Sequence, residues 1–343
     1  MKIALIGLPQ AGKKTLFSLL TGRGVPEVRK PGETVEGVAH IRDARIDTVS
    51  EMCQTRSKVY AENHFVLCPD AVTGENSRGW LDAACRCDLL CLVVRAFASD
   101  QVYHPDGSVD GARDEENLKS ELLFADMEMV EKRLERIEKE ARAGLSADQK
   151  VEQATLQKCM AALEEGQRLI DLPLEPHEWA AVSSLGLLTF IPLLVTRNIS
   201  EDELGSEPAQ GTLLVSCLIE QEIEAMDDPA DRKEYMDALG IESSGLDRMN
   251  AAAYDALGLM SYYTVGEDEC RAWTIRKGSS APVAGGKIHS DIERGFIRVE
   301  VIKYDDYVTA GSEVAAKEQG KMQTKGKDYI LEDGDICHFL FNV

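Results

Sequence analysis

The sequence predicts an α/β fold that is interrupted by a helical hairpin and followed by a small β-rich C-terminal domain. Three observations predict it: a short apolar run that ends in a glycine loop near residue 7, a long amphipathic stretch over residues 118–142, and short turn-bounded apolar runs after residue 260. A length of 343 residues fits two or three domains. We therefore predict an α/β domain over residues 1–117 and 188–259, an inserted hairpin over 118–187 and a last domain over 260–343.

The first element is a strand over residues 2–6, followed by a glycine loop over 7–12 and a helix over 13–20. The order of strand, glycine loop and helix is typical of an α/β domain that binds nucleotides. Further short apolar runs predict strands that are covered on both faces. They lie at residues 64–67, 89–95, 191–196 and 212–216.

The hairpin is predicted from helical periodicity. Leu118, Leu122, Ala125 and Met129 are spaced by four, three and four residues, with charged residues between them. A second helix is predicted over residues 147–169 after a short turn, so the two form an antiparallel pair resembling a coiled coil.

The C-terminal domain is predicted from four β-like runs and their turns. The runs are residues 270–276, 295–303, 329–331 and 337–341, and the turns are at 277–278, 305–306 and 333–334.

Composition narrows the class of protein. The formal net charge is −22, which disfavours a general nucleic-acid binder and a DNA partner, because phosphate contacts need a basic surface. No run approaches the roughly 20 apolar residues that cross a bilayer, and the N-terminus does not resemble a signal peptide. The nine cysteines are an odd number without a secretory signal, so we expect reduced thiols, a cytoplasmic protein and no membrane partner.

The glycine loop carries the strongest chemical signal. Residues 7–15 nearly match G-x-x-x-x-G-K-[ST], in which backbone N–H groups cradle phosphates and the lysine neutralises their charge. The candidate phosphate ligands are Gly7, Gln10, Ala11, Gly12, Lys13, Lys14 and Thr15. Lys14 stands where the motif has the Ser or Thr that binds Mg²⁺. Thr15 is then the only candidate metal ligand in the loop, although it lies about 100° further round the helix.

The chain also resembles the YchF/Obg-like ATPase family, whose members are P-loop proteins related to Obg GTPases. The matching segments are residues 7–15, 121–126, 271–275, 288–289, 295–298, 304–306, 326–330 and 341–343. The resemblance implies a P-loop G domain with an inserted helical hairpin and a C-terminal TGS domain, β-grasp-like in fold. It also implies ATP or GTP as the ligand and a link to the ribosome or to RNA through the hairpin and the TGS domain.

The same resemblance implies a site for the base. The family has N-x-x-E where GTPases have N-K-x-D, and this chain has Asn198, Ile199 and Glu201 at the matching positions. The amide of Asn198 offers a donor and an acceptor, which suits adenine. Ser216 and Cys217 align with the start of the family's S-A-K loop, and Leu218 replaces its lysine. ATP is therefore favoured, with GTP left open.

The sequence departs from the family pattern at positions that would bind the metal ion. Leu67 stands at the aspartate of the D-x-x-G motif, Asp70 stands at its glycine, and only Thr34 lies near the first switch region. Together with Lys14, these changes predict that Mg²⁺-assisted hydrolysis is weak or absent while nucleotide contacts persist. The alternative is a non-hydrolysing adaptor that acts through its hairpin and TGS domain.

Three weaker signals receive structural interpretations. A cysteine cluster at 53, 68, 85, 87 and 91 lacks the paired spacing of a metal site, so buried thiols are favoured. His289 could act as a general base, but a structural or partner-contact role is favoured. The basic hairpin-tip residues Arg142 and Lys150 are too few to predict RNA binding strongly.

Overall fold

The computed structural model describes residues 1–25, 32–71, 79–99, 101–141, 144–209, 211–266 and 268–342. They form two compact units. The first comprises residues 1–38 and 64–249, and the second comprises residues 39–63 and 250–343. Within the described residues, no helix is long and apolar enough to cross a membrane.

The strands are numbered in chain order. They are β1 Lys2–Ile6, β2 Val35–His40, β3 Ser57–Val59, β4 Glu62–Leu67, β5 Leu89–Arg95, β6 Leu193–Asn198, β7 Thr212–Val215, β8 Leu259–Val265, β9 Glu269–Arg276, β10 Phe296–Ile302, β11 Gln323–Lys325 and β12 Ile336–Phe341.

The α-helices follow the same convention. They are α1 Lys13–Thr21, α2 Ala44–Cys53, α3 Gly79–Ala84, α4 Gly111–Glu140, α5 Ala147–Glu164, α6 Pro176–Val182, α7 Cys217–Ala225, α8 Pro229–Ala238, α9 Gly245–Ala256, α10 Ala281–Ile288, α11 Ser290–Arg294, α12 Tyr304–Ala310 and α13 Glu313–Glu318.

The sheet of the first unit has the order β2-β4-β1-β5-β6-β7. β4, β1, β5, β6 and β7 are parallel, so their carboxyl ends share one edge of the sheet. β5 is buried along its whole length, as expected for a central strand with both faces covered. Ligands of open α/β sheets bind at the carboxyl edge.

The inserted hairpin consists of α4 and α5, whose facing side chains form one apolar cluster. Val130 and Ile137 of α4 are buried with Leu156 and Cys159 of α5. Its base is fixed by Asp126, which is buried and accepts hydrogen bonds from the N–H groups of Leu188 and Thr189 and from the Thr189 hydroxyl. The predicted stripe divides: Leu118 and Leu122 are buried against the sheet of the first unit, whereas Met129 is 47% exposed and the hairpin interior is formed by the residues beside it.

The sheet of the second unit has the order β11-β10-β12-β8-β9-β3 and is covered by helices on both faces. Successive residues of β8 point to opposite faces, so that Tyr262 packs with α10 and α11 while Tyr263 packs with α2, α12 and α13. Residues 39–63 contribute α2 and the edge strand β3 to this unit.

Four sequence predictions differ from the local structure, two in the type of element and two in the ends of a helix. Residues 329–331 do not form a strand; Ile330 makes a single bridge to Ser280 between two turns. Asp305 and Asp306 begin α12 instead of forming a turn, because acidic residues stabilise the first turn of a helix.

The second hairpin helix ends at Glu164, and Gly166 follows in the left-handed region at φ 75°. The first hairpin helix begins earlier than predicted, where Asp110 caps it by accepting from the Arg113 N–H.

Candidate functional site

The glycine loop joins β1 to α1 at the carboxyl edge of the first sheet. Gly12 lies in the left-handed region at φ 94°, and Gln10 adopts a similar conformation at φ 62°, which is rare for a residue with a side chain. Within the described residues no side chain caps α1. The N–H groups of its first turn are therefore directed at the loop's concave side, where they favour an anion.

Lys13 is 3% exposed, and its ammonium group faces the same concave side. Nζ donates to the carbonyls of Gly7 at 2.5 Å and Leu8 at 3.2 Å and to Oδ1 of Asp70 at 2.6 Å. Burial lowers the pKa of Lys13 below its usual range, and the charge of Asp70 opposes that effect. The loop thus holds a buried cation whose partner is a half-exposed carboxylate.

Asn198, the last residue of β6, connects the loop to the chain that follows β7. Its Nδ2 donates to the Ala11 carbonyl at 3.2 Å, and its Oδ1 accepts from the Cys217 N–H at 3.0 Å. The amide that the sequence assigns to the base is therefore also a buried structural bridge. Each amide atom keeps capacity for one further hydrogen bond.

Two cavities adjoin along the loop. The first, which we name the phosphate cavity, has a volume of roughly 250 Å³ and is lined by Leu8, Gln10, Ala11, Gly12, Lys13, Lys14, Thr15, Val25 and Asp70. The second, which we name the base cavity, has roughly 600 Å³ and is lined by Gln10, Gly12, Thr15, Phe97, Ala98, Ser99, Gln101, Val102, Asn198, Ile199, Ser200, Glu201, Ser216, Cys217, Leu218 and Gln221. Gln10, Gly12 and Thr15 line both, so the two cavities lie side by side along the loop.

The predicted base residues all line the base cavity. Ile199 and Ser216 are buried, and Glu201 is exposed at its rim. Burial raises the pKa of the Cys217 thiol to about 12, so this thiol stays protonated and unreactive and only lines the cavity. Leu218 is 61% exposed and presents an apolar surface where the family has a lysine.

The donor set that the described residues offer does not fit Mg²⁺. Lys14 lies exposed on the phosphate cavity, where a hydroxyl ligand would be needed, and Leu67 is 2% exposed at the end of β4 and supplies no oxygen. The Asp70 carboxylate is engaged by Lys13, so among the described residues that line this cavity the remaining side-chain oxygens are those of Thr15 and Gln10. Mg²⁺ requires several oxygen ligands in octahedral geometry. Thr34 is exposed and lines a different cavity.

Sequence reasoning missed the segment after β5. Phe97, Gln101 and Val102 line the base cavity, and the Arg95 guanidinium lies 4.6 Å from the Phe97 ring centroid. The available signal was their position just beyond a buried parallel strand, which places them at the edge where ligands bind. It also missed the pairing of Asp70 with Lys13.

The other residues that the sequence singled out lie outside the loop and its cavities. His289 accepts a hydrogen bond from the Asp291 N–H and caps α11. Cys68, Cys87 and Cys91 are buried and Cys85 is exposed, and the described residues contain no group of ligands that could hold a metal. Lys150 lies exposed on α5, whereas Arg142 and residues 72–78, which follow the D-x-x-G position, lie outside the described residues.

A phosphate-binding loop between the first strand and helix of a parallel sheet, next to a cavity of base size, defines a P-loop protein of the GTPase fold, here with a helical insert and a C-terminal domain. Similarity to known proteins makes this assignment specific. The family model YchF-GTPase_C, described as a protein of unknown function (DUF933), matches residues 259–342.

Relatives match over the full length. The ribosome-binding ATPase YchF of Escherichia coli O157:H7 is 38% identical over 100% of this chain and 99% of its own length. The ribosome-binding ATPase YchF of Bacillus subtilis (strain 168) is 36% identical over 99% of this chain and 98% of its own length. The structure of the Schizosaccharomyces pombe YchF GTPase superposes with a TM-score of 0.83 at 31% identity, covering 99% of this chain and 97% of the other. The chain belongs to the YchF family.

Proposed function

We propose that this protein binds a purine nucleotide, ATP or GTP, in the phosphate and base cavities. The observation that carries the proposal is that the two cavities are neighbours and share Gln10, Gly12 and Thr15 in their walls. The phosphates of a nucleotide placed there would contact the first turn of α1 and Lys13. Its base would lie in an apolar pocket that offers a few polar groups. The phosphate side of the proposed site also includes Gly7, Ala11 and Lys14. The base side consists of Asn198, Ile199, Glu201, Ser216 and Cys217.

Hydrolysis is proposed to be weak. Lys14 and Leu67 replace two oxygen ligands of the usual metal site, and the buried Ala71 offers no group that could orient a water molecule. One positive charge on Lys14 supplies part of the electrostatic role of a divalent cation and none of its coordination geometry.

The cellular role is proposed from the relatives. Proteins named ribosome-binding ATPases match this chain along its whole length, so we propose a switch associated with the ribosome or translation in the cytoplasm. The hairpin and the TGS domain are the proposed contact surfaces for the ribosome or its RNA, and neither DNA nor a membrane is a proposed partner. Sedimentation with purified ribosomes, with and without nucleotide, tests this role.

An adaptor that never hydrolyses nucleotide is the second candidate. It is favoured by one observation: all three hydrogens of the Lys13 ammonium have protein acceptors. Such an adaptor would bind its partner equally well with the P-loop lysine removed.

Calorimetry distinguishes the two. ATP and GTP are titrated into the wild type, Lys13→Ala and the control Lys150→Ala, with Mg²⁺ and again with EDTA. We expect binding that is lost in Lys13→Ala, kept in Lys150→Ala and indifferent to Mg²⁺. Strongly Mg²⁺-dependent binding would refute the proposal that the metal site is defective. If neither nucleotide binds, the adaptor is the candidate function that remains.

A further inference from the structure

The ammonium group of Lys13 has no donor to spare for a phosphate. Its three hydrogens are directed at the carbonyls of Gly7 and Leu8 and at the Asp70 carboxylate. A phosphate oxygen can reach Lys13 only by replacing one of these acceptors. The two carbonyls belong to the loop itself, so the Asp70 side chain, which is 48% exposed, is the acceptor that can rotate away.

The backbone around Asp70 is fixed beside the loop. The Cys68 N–H donates to the Leu5 carbonyl at 3.1 Å, and the Ala71 N–H donates to the Gly7 carbonyl at 3.0 Å. Ala71 is also buried. The backbone of Asp70 is therefore held between two anchored neighbours, so a rotation of the side chain can move the carboxylate by no more than the reach of that short side chain.

The carboxylate places a negative charge inside the cavity that would receive the end of the phosphate chain. Each additional phosphate brings more negative charge to the same place, and like charges a few ångströms apart repel. Lys14 adds one positive charge on the cavity wall. A triphosphate must displace Asp70 and then remain beside it, whereas a diphosphate leaves the terminal position to the carboxylate.

We propose that Asp70 is a specificity-determining residue that makes this site prefer a nucleoside diphosphate over the triphosphate. The inference rests on the proposed nucleotide site and specifies the phosphate-chain length it selects. In this arrangement the Asp70 carboxylate occupies the place of a terminal phosphate on Lys13.

The test is calorimetry in EDTA with ADP and a non-hydrolysable ATP analogue, and with the corresponding guanine pair. Asp70→Asn removes the charge and keeps the shape, Asp70→Gly removes the side chain, and Asp148→Asn is the control for loss of an exposed acid elsewhere in the same unit. We expect the wild type and the control to bind the diphosphate about tenfold more tightly. Both Asp70 variants should gain about tenfold for the triphosphate analogue and little for the diphosphate.

Equal affinity of the wild type for both ligands, or equal gains for both in the Asp70 variants, would overturn this inference and leave the nucleotide site standing. Triphosphate binding that Mg²⁺ strengthens in the wild type and not in Asp70→Asn would make Asp70 a metal ligand instead. If no variant binds any nucleotide, the proposed function and this inference both fail.

Discussion

A Cβ atom on Gly12 would overlap Nδ2 of Asn198, so the phosphate loop and the end of β6 are as close as a glycine allows. The same Asn198 amide donates to Ala11, the residue before that glycine. The loop that would hold phosphates and the strand end that would hold the base are therefore one interlocked structure. A substitution on either side should affect both.

Gly12→Ala should weaken nucleotide binding and destabilise the first unit. An alanine at φ 94° is strained by about 1–2 kcal/mol, and its methyl group must also push Asn198 away from Ala11. Gly22→Ala is the matched control, because Gly22 has φ 63° and nothing within 4 Å of the added atom. Denaturant unfolding and nucleotide titration of both variants should show a stability loss in each and a binding loss only in Gly12→Ala.

Asn198→Ala should reduce both stability and nucleotide affinity. It leaves the Ala11 carbonyl and the Cys217 N–H without partners, which costs about 1–3 kcal/mol for each buried group. Asn63→Ala is the control, since Asn63 is also buried and donates to Asn250 at 2.9 Å within the second unit. It should lose stability and keep nucleotide affinity. Equal affinity losses in the two variants would show that Asn198 has no specific place in the site.

Glu220 should make the protein less stable as pH rises. Its Oε1 accepts from the Gly245 N–H while its buried Oε2 has no partner in the described structure, and burial raises the pKa of this carboxyl above its ordinary 4.5. The folded state then binds the proton more tightly than the unfolded state, so stability is highest at low pH. It falls as pH rises from 4.5 through the folded pKa, by about 1.4 kcal/mol for each pH unit that separates the two pKa values.

Glu220→Gln imitates the protonated acid and should remove that fall. The control Glu222→Gln changes an exposed acid on the same helix and should keep it. Urea unfolding between pH 4 and pH 8 measures the difference. Parallel pH profiles of the wild type and Glu220→Gln would mean that the buried carboxyl does not titrate in this range.

The local parts of the fold were predictable from sequence because local patterns encode them. β5 lies at the predicted residues, since an unbroken apolar run is typical of a central parallel strand. β3 was not predictable: three residues with no apolar pattern pair with Glu269–Arg271, more than two hundred positions away. The strand joins the sheet of the second unit through that distant pairing.

The site divides in the same way. The loop from Gly7 to Thr15 is a contiguous motif with its own mechanism, so its place between strand and helix followed from sequence. The ion pair of Lys13 with Asp70 joins residues 57 positions apart, and the family's sequence pattern identified Asp70 only as a missing glycine. Its orientation towards Lys13 depends on the order of β4 beside β1 in the sheet.

Restoring two metal ligands should raise turnover if the metal site limits hydrolysis. Lys14→Ser with Leu67→Asp should increase Mg²⁺-dependent phosphate release from ATP by about tenfold or more, and EDTA should abolish the gain. Leu67 is buried and registered with Leu5 in the β4–β1 pair, so the new carboxylate costs stability, and thermal unfolding must confirm that the double variant folds. Lys14→Ser alone, which changes an exposed position, should give a smaller gain, and Lys150→Ser none. A folded double variant with the wild-type rate would show that the metal ligands are not what limits hydrolysis in this chain.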